Sequence, residues 1–488
     1  MTHRPFESIS PWPRAALAAA VSAAILSACA VGPAYERPTA AVSAAYKEAP
    51  AADAGWLPAA PADALDRGEW WTLFGDAQLD GLMQQVQVSN QNVAAAVAAY
   101  DQARALVRQQ RATLFPAVTL DGSAARTGGN GRVSGTGNST QLGLGASWEP
   151  DLWGQLRLGV QSAQASAQAS EADLAAARLS AQGELAIDYF SLRDADAELA
   201  LLATTVDAFQ RSLTITQNRY AAAIAAKTDV LQAQTQLANA KADVAALRGQ
   251  RANLEHAIAV LIGKAPGDFS LPPGEWKTSI PAVPLGVPST LLQRRPDIAS
   301  SERAVAAANA QIGIQRSAYY PSINLSGSFG TAGSSIGDLF KASNTLWSLG
   351  LSAAQTVFDA GAIAARVEGA EAARDAAAAR YRQTVLSAFQ AVEDQLSTTR
   401  ALAEQDALRR EASQAADATE QQLLNRYKAG LVSYTEVVTA QASALSARRT
   451  LAQLVASRQT SAVALIQALG GGWHAREPMT DRPPASRP

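Results

Sequence analysis

The chain has 488 residues, and its 41 Lys and Arg against 43 Asp and Glu give a formal net charge of −2 at neutral pH. This balance does not indicate a nucleic-acid partner, because a phosphate-binding surface needs an excess of basic residues. The three histidines are His3, His256 and His474, and no pair of them has the spacing of metal ligands or of a catalytic triad. Since no phosphate-binding glycine motif is present either, the composition argues against an enzyme.

The first residues predict a secretory signal that ends at a lipid-attachment site. Arg4 and Arg14 precede an apolar run over residues 15–26, which is shorter than the roughly 20 residues of a membrane-spanning helix. The stretch "LSAC" at residues 26–29 resembles the bacterial lipobox. Because a lone cysteine cannot form an internal disulfide, we expect Cys29 to carry S-diacylglycerol and an N-palmitoyl chain, with no other cofactor. An ordinary signal peptide that contains a cysteine is the alternative.

The residue after the predicted lipid-attachment site indicates a destination. Ala30, not aspartate, follows Cys29, which by analogy with bacterial lipoproteins favours delivery to the outer membrane. Beyond the signal, no apolar stretch is long enough for a transmembrane helix. A mature chain that crosses the membrane must therefore do so as β-strands.

Four short segments alternate apolar and polar residues, the pattern of β-strands. They cover residues 118–124, 141–149, 323–329 and 347–354. Each strand would run about 10 residues, which suits a tilted strand across a bilayer. Polar loops rich in Gly and Ser join the strands in pairs. A small soluble β-sandwich is the alternative interpretation.

A long helical hairpin is predicted after each strand pair. Residues 158–219 and 362–426 are rich in strong helix formers and contain no proline. A second helical stretch follows each of them, over residues 227–262 and 435–469, which places the hairpin tips at 220–227 and 427–434. Alanine at many core positions lets neighbouring helices approach closely, as in a coiled coil.

The two halves of the chain repeat each other. The tripeptide "NRY" occurs at residues 218–220 and 425–427, an offset of 207, and the match continues without gaps to Gly470. Earlier in the chain the offset is 205, which aligns Ser147 with Ser352. The halves therefore differ by about two inserted residues.

Proline density separates the repeats. Seven prolines fall within residues 266–296, and proline interrupts helices and central strands. We predict six segments: a signal peptide (1–28), a lipidated N-terminal segment with a collar (29–78), a first repeat (79–263), a proline-rich connector (264–296), a second repeat (297–470) and a tail (471–488).

The strand number requires more than one copy of the chain. Four strands cannot close a barrel in lipid, where an open sheet edge leaves backbone groups unpaired, and known membrane barrels begin at about eight strands. We therefore expect several copies to share one barrel. Three copies give twelve strands and a lumen that side chains do not fill.

Motifs along the chain resemble those of the TolC-like outer membrane factors, in the lipoprotein (NodT-type) branch that serves RND multidrug efflux systems. They are "CAVGPAYERP" at 29–38, "WWTLFGD" at 70–76, "RRPDI" at 294–298, "YPSI" at 320–323 and the two "NRY" tips. The resemblance implies an α+β membrane protein with two internal repeats. It implies a homotrimer with a twelve-stranded outer-membrane β-barrel, four strands per chain, continued by a long periplasmic α-helical barrel with an equatorial collar.

The resemblance also implies a function and a location. The protein would be a lipid-anchored, passive exit duct in the outer membrane of a Gram-negative bacterium, with a large periplasmic portion. An inner-membrane RND transporter would supply the energy, and a periplasmic adaptor (membrane fusion protein) would grip the helical tips and open them for small toxic compounds such as drugs. Ducts for type I protein secretion or metal efflux are close alternatives. A structural lipoprotein with a coiled-coil rod is an alternative from another class.

The predicted site residues lie at the hairpin tips. Adaptor docking is assigned to Ala221, Ala222, Ala223, Lys428, Ala429, Gly430 and Leu431. Because Ala223 stands where Gly430 has its counterpart, we expect the first tip to turn differently from the second.

The predicted periplasmic gate consists of Glu436, Asp229, Tyr220 and Tyr427, and no metal site is expected. Three symmetry-related Glu436 carboxylates would repel one another and attract cations, as in a selectivity ring. Alternatively, Glu436 is a solvated helix residue, or it caps its helix together with Ser433, three residues earlier. The other three residues are candidates for bonds that hold the closed state.

Overall fold

The structure is a computed structural model of the chain. It describes residues 31–43, 45–48, 69–128, 137–274, 276–283 and 294–472. Cys29 and the whole predicted signal lie outside the described residues, so lipid attachment stays a prediction. Among the helices that the structure describes, none is both long and apolar enough to cross a membrane.

Helices and strands follow the same order in both halves. The first half contains α1 (Ala77–Ser89), α2 (Gln91–Ala112), β1 (Ala117–Thr127), β2 (Gly137–Trp148), α3 (Gln155–Ala221) and α4 (Lys227–Leu261). The second half contains α5 (Pro296–Ser317), β3 (Ser322–Gly333), β4 (Thr345–Ala354), α6 (Ala362–Lys428) and α7 (Tyr434–Ala468). Helices α2, α3 and α4 have 22, 67 and 35 residues, and α5, α6 and α7 have the same three lengths. The predicted duplication is confirmed in the backbone.

The four strands form one antiparallel sheet in the order β1-β2-β3-β4. The strand pairing aligns an apolar row on one face: Leu120, Leu144, Phe329 and Trp347. The adjacent row, on the other face, is Thr119, Gly145, Ser328 and Ser348. In the single chain the apolar row is uncovered, with Leu120 69 % and Trp347 77 % exposed. The predicted two-sided strands are thus confirmed.

The register of the sheet corrects one detail of the repeat alignment. Ala117 of β1 pairs with Ser147, and Ser322 of β3 pairs with Ala354. Because Ser322 is the counterpart of Ala117, the counterpart of Ser147 is Ala354, and the predicted match with Ser352 is wrong. The two additional residues of the second half lie in the loop between β3 and β4, where insertions cost little.

The described residues form two compact units. One holds the sheet and the adjoining helix ends, within residues 31–39, 99–170 and 300–382. The other holds the remaining parts of the helical hairpins, the connector and residues 69–98. The hairpin tips belong to this second unit.

Residues 70–76 pack against α3 within the second unit. They form a short 3₁₀ turn, Trp70–Phe74, whose Trp71 is only 1 % exposed. The Phe74 ring centre lies 4.8 Å from that of Phe190, and the Tyr189 hydroxyl donates to Asp76 at 2.6 Å. This aromatic packing anchors the segment that was expected to form part of a collar.

The proline-rich connector packs in the same unit. Arg251 of α4 donates to the Leu271 carbonyl at 2.5 Å and to Asp196 of α3 at 2.6 Å. Trp276 donates from Nε1 to the side chain of Gln459 in α7 at 2.9 Å. Polar side chains of α4 and α7 therefore hold the connector at Leu271 and Trp276, and Asp196 of α3 positions Arg251.

Candidate functional site at the hairpin tips

The first hairpin tip ends α3 with a defined backbone turn. The N–H of Ile224 donates to the carbonyl of Arg219 at 2.8 Å, and the N–H of Ala223 donates to the carbonyl of Tyr220 at 2.9 Å. These two bonds form a Schellman motif, which places one residue in the left-handed conformation. Ala223 occupies that position, with a φ of 56°.

The second tip has the same turn. The N–H of Leu431 donates to the carbonyl of Arg426, and the N–H of Gly430 donates to that of Tyr427, both at 2.9 Å. Gly430 has a φ of 76°. The expectation that the first tip turns differently is therefore wrong. The Schellman bonds hold Ala223 in a conformation that costs a residue with a side chain roughly 1 kcal/mol.

An arginine of the first repeat binds the end of α6 in the second repeat. The Arg219 guanidinium lies 4.8 Å from the centre of the Tyr427 ring. Its Nη1 donates to the backbone carbonyls of Tyr427 at 3.2 Å and Lys428 at 3.3 Å. The cation satisfies carbonyls at a helix C-terminus, where the negative end of the helix dipole lies. We call this contact the Arg219 clasp; it joins the two tips of one chain.

An apolar cluster lies beneath the Arg219 clasp. Its buried members come from both hairpins: Phe209, Leu213, Ala233, Leu237, Ala240, Tyr427, Tyr434 and Val437. The ring centres of Tyr427 and Tyr434 are 5.2 Å apart. Burial, followed by the charges of Tyr427 and Asp229, raises the pKa of Tyr434 to about 12, so its hydroxyl stays neutral at physiological pH. Within one chain the two tips therefore share a buried apolar core.

The four predicted gate residues lie in different surroundings. Tyr427 is 3 % exposed, whereas Tyr220 is 47 % exposed. Asp229 is half-buried in the first turn of α4. Glu436 is exposed, and its Oε1 accepts hydrogen bonds from the backbone N–H and the hydroxyl of Ser433, both at 3.2 Å. Glu436 thus makes the capping contact of the alternative interpretation, and a Glu436 selectivity ring stays a prediction.

The predicted docking residues are all exposed at the tips. They are Ala221, Ala222, Ala223, Lys428, Ala429, Gly430 and Leu431. Leu431 is 69 % exposed, and its counterpart Ile224 is 66 % exposed. Each tip therefore presents one large apolar side chain to solvent, which suits a protein partner. Adaptor docking itself stays a prediction.

The tips carry an excess of positive charge. Residues 219–229 and 426–436 contain four basic and two acidic side chains: Arg219, Lys227, Arg426, Lys428, Asp229 and Glu436. In the part of the chain that the structure describes, no group of three or more His, Cys, Asp or Glu side chains is placed to hold a metal ion. The tips are thus equipped for protein contacts, with exposed apolar and cationic groups.

Two residues of this site were not predicted from the sequence. The offset of 207 relates Ile224 to Leu431, so the repeat alignment could have identified Ile224. The role of Arg219 has no such signal, because its partners are backbone carbonyls 208 and 209 positions further along the chain.

Comparisons with known proteins place these features in a family. The outer membrane efflux protein family (OEP) matches residues 82–264 and 287–471. The chain is 32 % identical over 468 residues to the probable efflux pump outer membrane protein TtgC of Pseudomonas putida, which covers 94 % of this chain and 96 % of TtgC. It is 30 % identical over 452 residues to the cation efflux system protein CusC of Escherichia coli, with coverage of 92 % and 96 %. The solved outer-membrane channel OprN gives a TM-score of 0.80 at 31 % identity, over 91 % of this chain and 100 % of that chain.

The first matched segment runs from within α1 to just past the end of α4, and the second runs from before α5 to just past the end of α7. The similarity to OprN extends over the sheet and the hairpins alike, since it covers nine-tenths of the chain. The TolC-like fold expected from the sequence motifs is confirmed. This chain belongs to the outer membrane efflux protein family.

Proposed function

We propose that three copies of this chain form a passive exit duct in the outer membrane, as the last component of a tripartite efflux pump for small toxic compounds. A periplasmic adaptor binds the hairpin tips, and an inner-membrane RND transporter supplies the energy. The chain catalyses no reaction and serves as the route to the outside.

The four-stranded sheet carries this proposal. One face presents the apolar row that contains Leu120 and Trp347, and in the described part of the chain β1 and β4 each have a neighbour on one side only. Lipid can cover the apolar face, but it cannot satisfy the N–H and C=O groups of an open edge. Pairing of β4 in one copy with β1 in the next, three times over, closes a barrel of twelve strands.

The position of Val31 supports a lipid on Cys29. The N–H of Val31 donates to the carbonyl of Trp153 at 3.5 Å, in the turn that connects β2 to α3. This turn lies where a spanning sheet leaves the bilayer, so an acyl chain attached two residues before Val31 can insert beside the strands. Asn309 and Arg382 hold the following segment by donating to the carbonyls of Pro33 at 3.0 Å and Thr39 at 3.2 Å.

Substitution of Gly430 tests the docking role of the tips. Gly430→Pro removes the bond from its N–H to Tyr427 and excludes the φ of 76°. We expect normal amounts of assembled protein, but loss of adaptor capture by a photo-crosslinker at Leu431 and loss of drug resistance. Gly430→Asn is the matched control, because asparagine tolerates the left-handed conformation. Unchanged capture by the proline variant would contradict the assignment.

The similarity to CusC favours a second candidate function, a duct for metal cations. The whole chain contains three methionines, three histidines and one cysteine, the side chains that bind soft cations. A passive duct needs none of these ligands, so their number does not distinguish the two candidates. The resistance of cells that carry the protein has to distinguish them.

Complementation distinguishes the two functions. The chain is expressed with its own adaptor and transporter in a strain without other outer membrane factors, and growth is scored against organic antibiotics, an organic dye, copper and silver. Resistance to the organic compounds supports the proposal, and resistance to the metal ions alone selects the cation duct. Resistance to neither, with the protein present in the outer membrane, contradicts both.

A further inference from the structure

We propose that the Arg219 clasp is repeated between neighbouring copies, where Arg426 of one copy binds the tip at Tyr220 of the next copy. This inference rests on the proposed three-copy duct and adds the residues and the chemistry of the joint between copies. The partner is a second copy of this chain.

Equivalent positions of the two repeats make equivalent contacts. The Asn90 side chain, just before α2, donates to the Leu261 carbonyl at the end of α4 at 2.8 Å. Its counterpart Arg295, just before α5, donates to the Ala468 carbonyl at the end of α7 at 2.9 Å. The two bonds each lie within one repeat and show that the repeats make the same internal contacts. A ring of three copies contains six repeats. We extend this equivalence to the contacts between repeats, so that each contact from the first to the second repeat within a chain has a counterpart from the second repeat to the first repeat of the next copy.

Both halves of the second clasp are present and unused in the single chain. The counterparts of Arg219 and Tyr427 are Arg426 and Tyr220. Tyr220 is 47 % exposed, and the exposed Arg426 side chain makes no hydrogen bond or ion pair with any described residue. In the next copy, the Tyr220 ring and the carbonyls of Tyr220 and Ala221 offer Arg426 the aromatic face and helix C-terminus that Arg219 finds at the end of α6.

Two kinds of junction join neighbouring hairpins: one lies between the two repeats of a single chain, and the other lies between neighbouring copies. The side chains beneath the clasp differ between these two junctions. Phe209, Leu213 and Tyr434 of the apolar cluster correspond to Ala416, Glu420 and Lys227. Lys227 is exposed and forms no ion pair within the described chain, and Glu420 contacts Arg448 at 2.8 Å. Where one chain buries a leucine and a tyrosine, neighbouring copies bring Glu420 close to Lys227.

The two kinds of junction therefore differ in strength. Buried apolar side chains stabilise a contact strongly, whereas a solvated ion pair contributes little. The geometry assigns opening of the periplasmic end to the three junctions between copies, while the three junctions within chains stay closed. Arg426, Glu420, Tyr220 and Lys227 are the residues of the joint that separates.

Cysteine crosslinking tests the contact between copies. The full-length chain carries Tyr220→Cys with Arg426→Cys, and the matched control carries Arg219→Cys with Tyr427→Cys. Outer membranes are treated with a bis-maleimide long enough to span the reach of an arginine side chain, because a direct disulfide needs closer backbones, and are run on denaturing gels. We expect covalent dimers and trimers from the first pair and only monomers with an internal link from the control. No covalent oligomer from the first pair, although light scattering in detergent finds three copies, would overturn the inference and leave the duct intact. A monomer in detergent would overturn both.

A charge exchange tests the chemistry of the joint in bilayer conductance recordings. We expect Glu420→Lys and Lys227→Glu each to raise the open fraction about fivefold, and the two together to restore it. Because Glu420 also contacts Arg448, the control combines Glu420→Lys with Arg448→Glu. Restoration by Arg448→Glu but not by Lys227→Glu would place the contact inside one chain and overturn the inference.

Discussion

The two hairpin tips share one backbone turn and differ in what surrounds it. Tyr427 in the second tip is 3 % exposed, because Arg219 covers its ring and an apolar cluster lies beneath it, whereas its counterpart Tyr220 is 47 % exposed. The helices that lead to both tips have identical lengths. Duplication has thus preserved the backbone, while a few side chains give each tip its own role. Substitutions that make the residues or contacts of one tip more like those of the other test this difference.

Phe209→Ala is expected to have the largest effect, because it gives the first repeat the residue that the second repeat has at position 416. Phe209 is 4 % exposed within the apolar cluster, and loss of a buried phenylalanine side chain costs about 3 kcal/mol. We expect faster hydrogen exchange at residues 427–440. Leu408→Ala is the control, since Leu408 is 66 % exposed on α6. Unchanged protection of the second tip would contradict the account of its stability.

Arg219→Ala removes the clasp and leaves the apolar cluster in place. It loses two hydrogen bonds to carbonyls and the contact with the Tyr427 ring, so we expect a loss of about 2 kcal/mol in the urea unfolding of the tips. Arg219→Lys should lose less, because lysine keeps the charge. Arg211→Ala, at an exposed position of α3, should leave stability unchanged. Equal losses from the Ala and Lys variants would contradict this expectation and mean that the shape of the guanidinium matters and its charge does not.

A half-buried carboxyl in α3 distinguishes the two repeats by its pH dependence. Burial, followed by the charge of Glu198, raises the pKa of Asp194 to about 7, and the counterpart of Asp194 is Ala401. The folded chain binds this proton more tightly than the unfolded chain, so its stabilising contribution is complete below about pH 4 and is lost as the pH rises to about 7.

Asp194→Asn removes the ionisable group, so the variant does not lose stability at this position as the pH rises. We expect the variant to be more stable than the wild type by about 1–2 kcal/mol at pH 8, and the difference to vanish near pH 4. Thermal unfolding at both pH values measures it. Asp207→Asn, at an exposed position of the same helix, is the control. A difference that stays constant across this pH range would show that Asp194 does not titrate as described.

The turn residues are expected to give the smallest effect. Ala223 and Gly430 hold the same left-handed position, with φ of 56° and 76°. We expect Ala223→Gly to stabilise its tip by about 0.5–1 kcal/mol and Gly430→Ala to destabilise the other by a similar amount. Chemical unfolding of both variants measures the pair. Effects of the same sign would contradict the equivalence of the turns.

Much of the fold could be predicted from the sequence because the repeats constrain it. Proline-free intervals and helix-forming residues located α3 and α6 within a few residues of their ends, and alternation located the strands. The match of Ser147 with Ser352 was wrong because both residues are serines at the offset of 205, which made the alignment look correct. Only the strand pairing shows that two residues are inserted in the loop before β4, so that the offset there is 207.

The site was predicted less completely, for physical reasons. Ala223 was expected to change the turn because alanine disfavours positive φ, but two Schellman bonds outweigh that preference. The Arg219 clasp depends on carbonyls of the other repeat, which have no signature in the sequence. Whether Glu436 also faces a pore depends on neighbouring copies, and a single chain shows only its capping contact with Ser433.

The most direct test of the account is whether copies of the chain close one barrel. In the sheet Leu144 lies opposite Phe329, and at the repeat offsets of 207 and 205 their counterparts are Leu351 in β4 and Ala124 in β1. The account predicts that Leu351→Cys with Ala124→Cys gives covalent dimers and trimers in oxidised outer membranes. Leu351→Cys with Val118→Cys, about 20 Å out of register, should give none. Monomers alone from the matched pair, with the protein in the outer membrane, would contradict a barrel shared between copies.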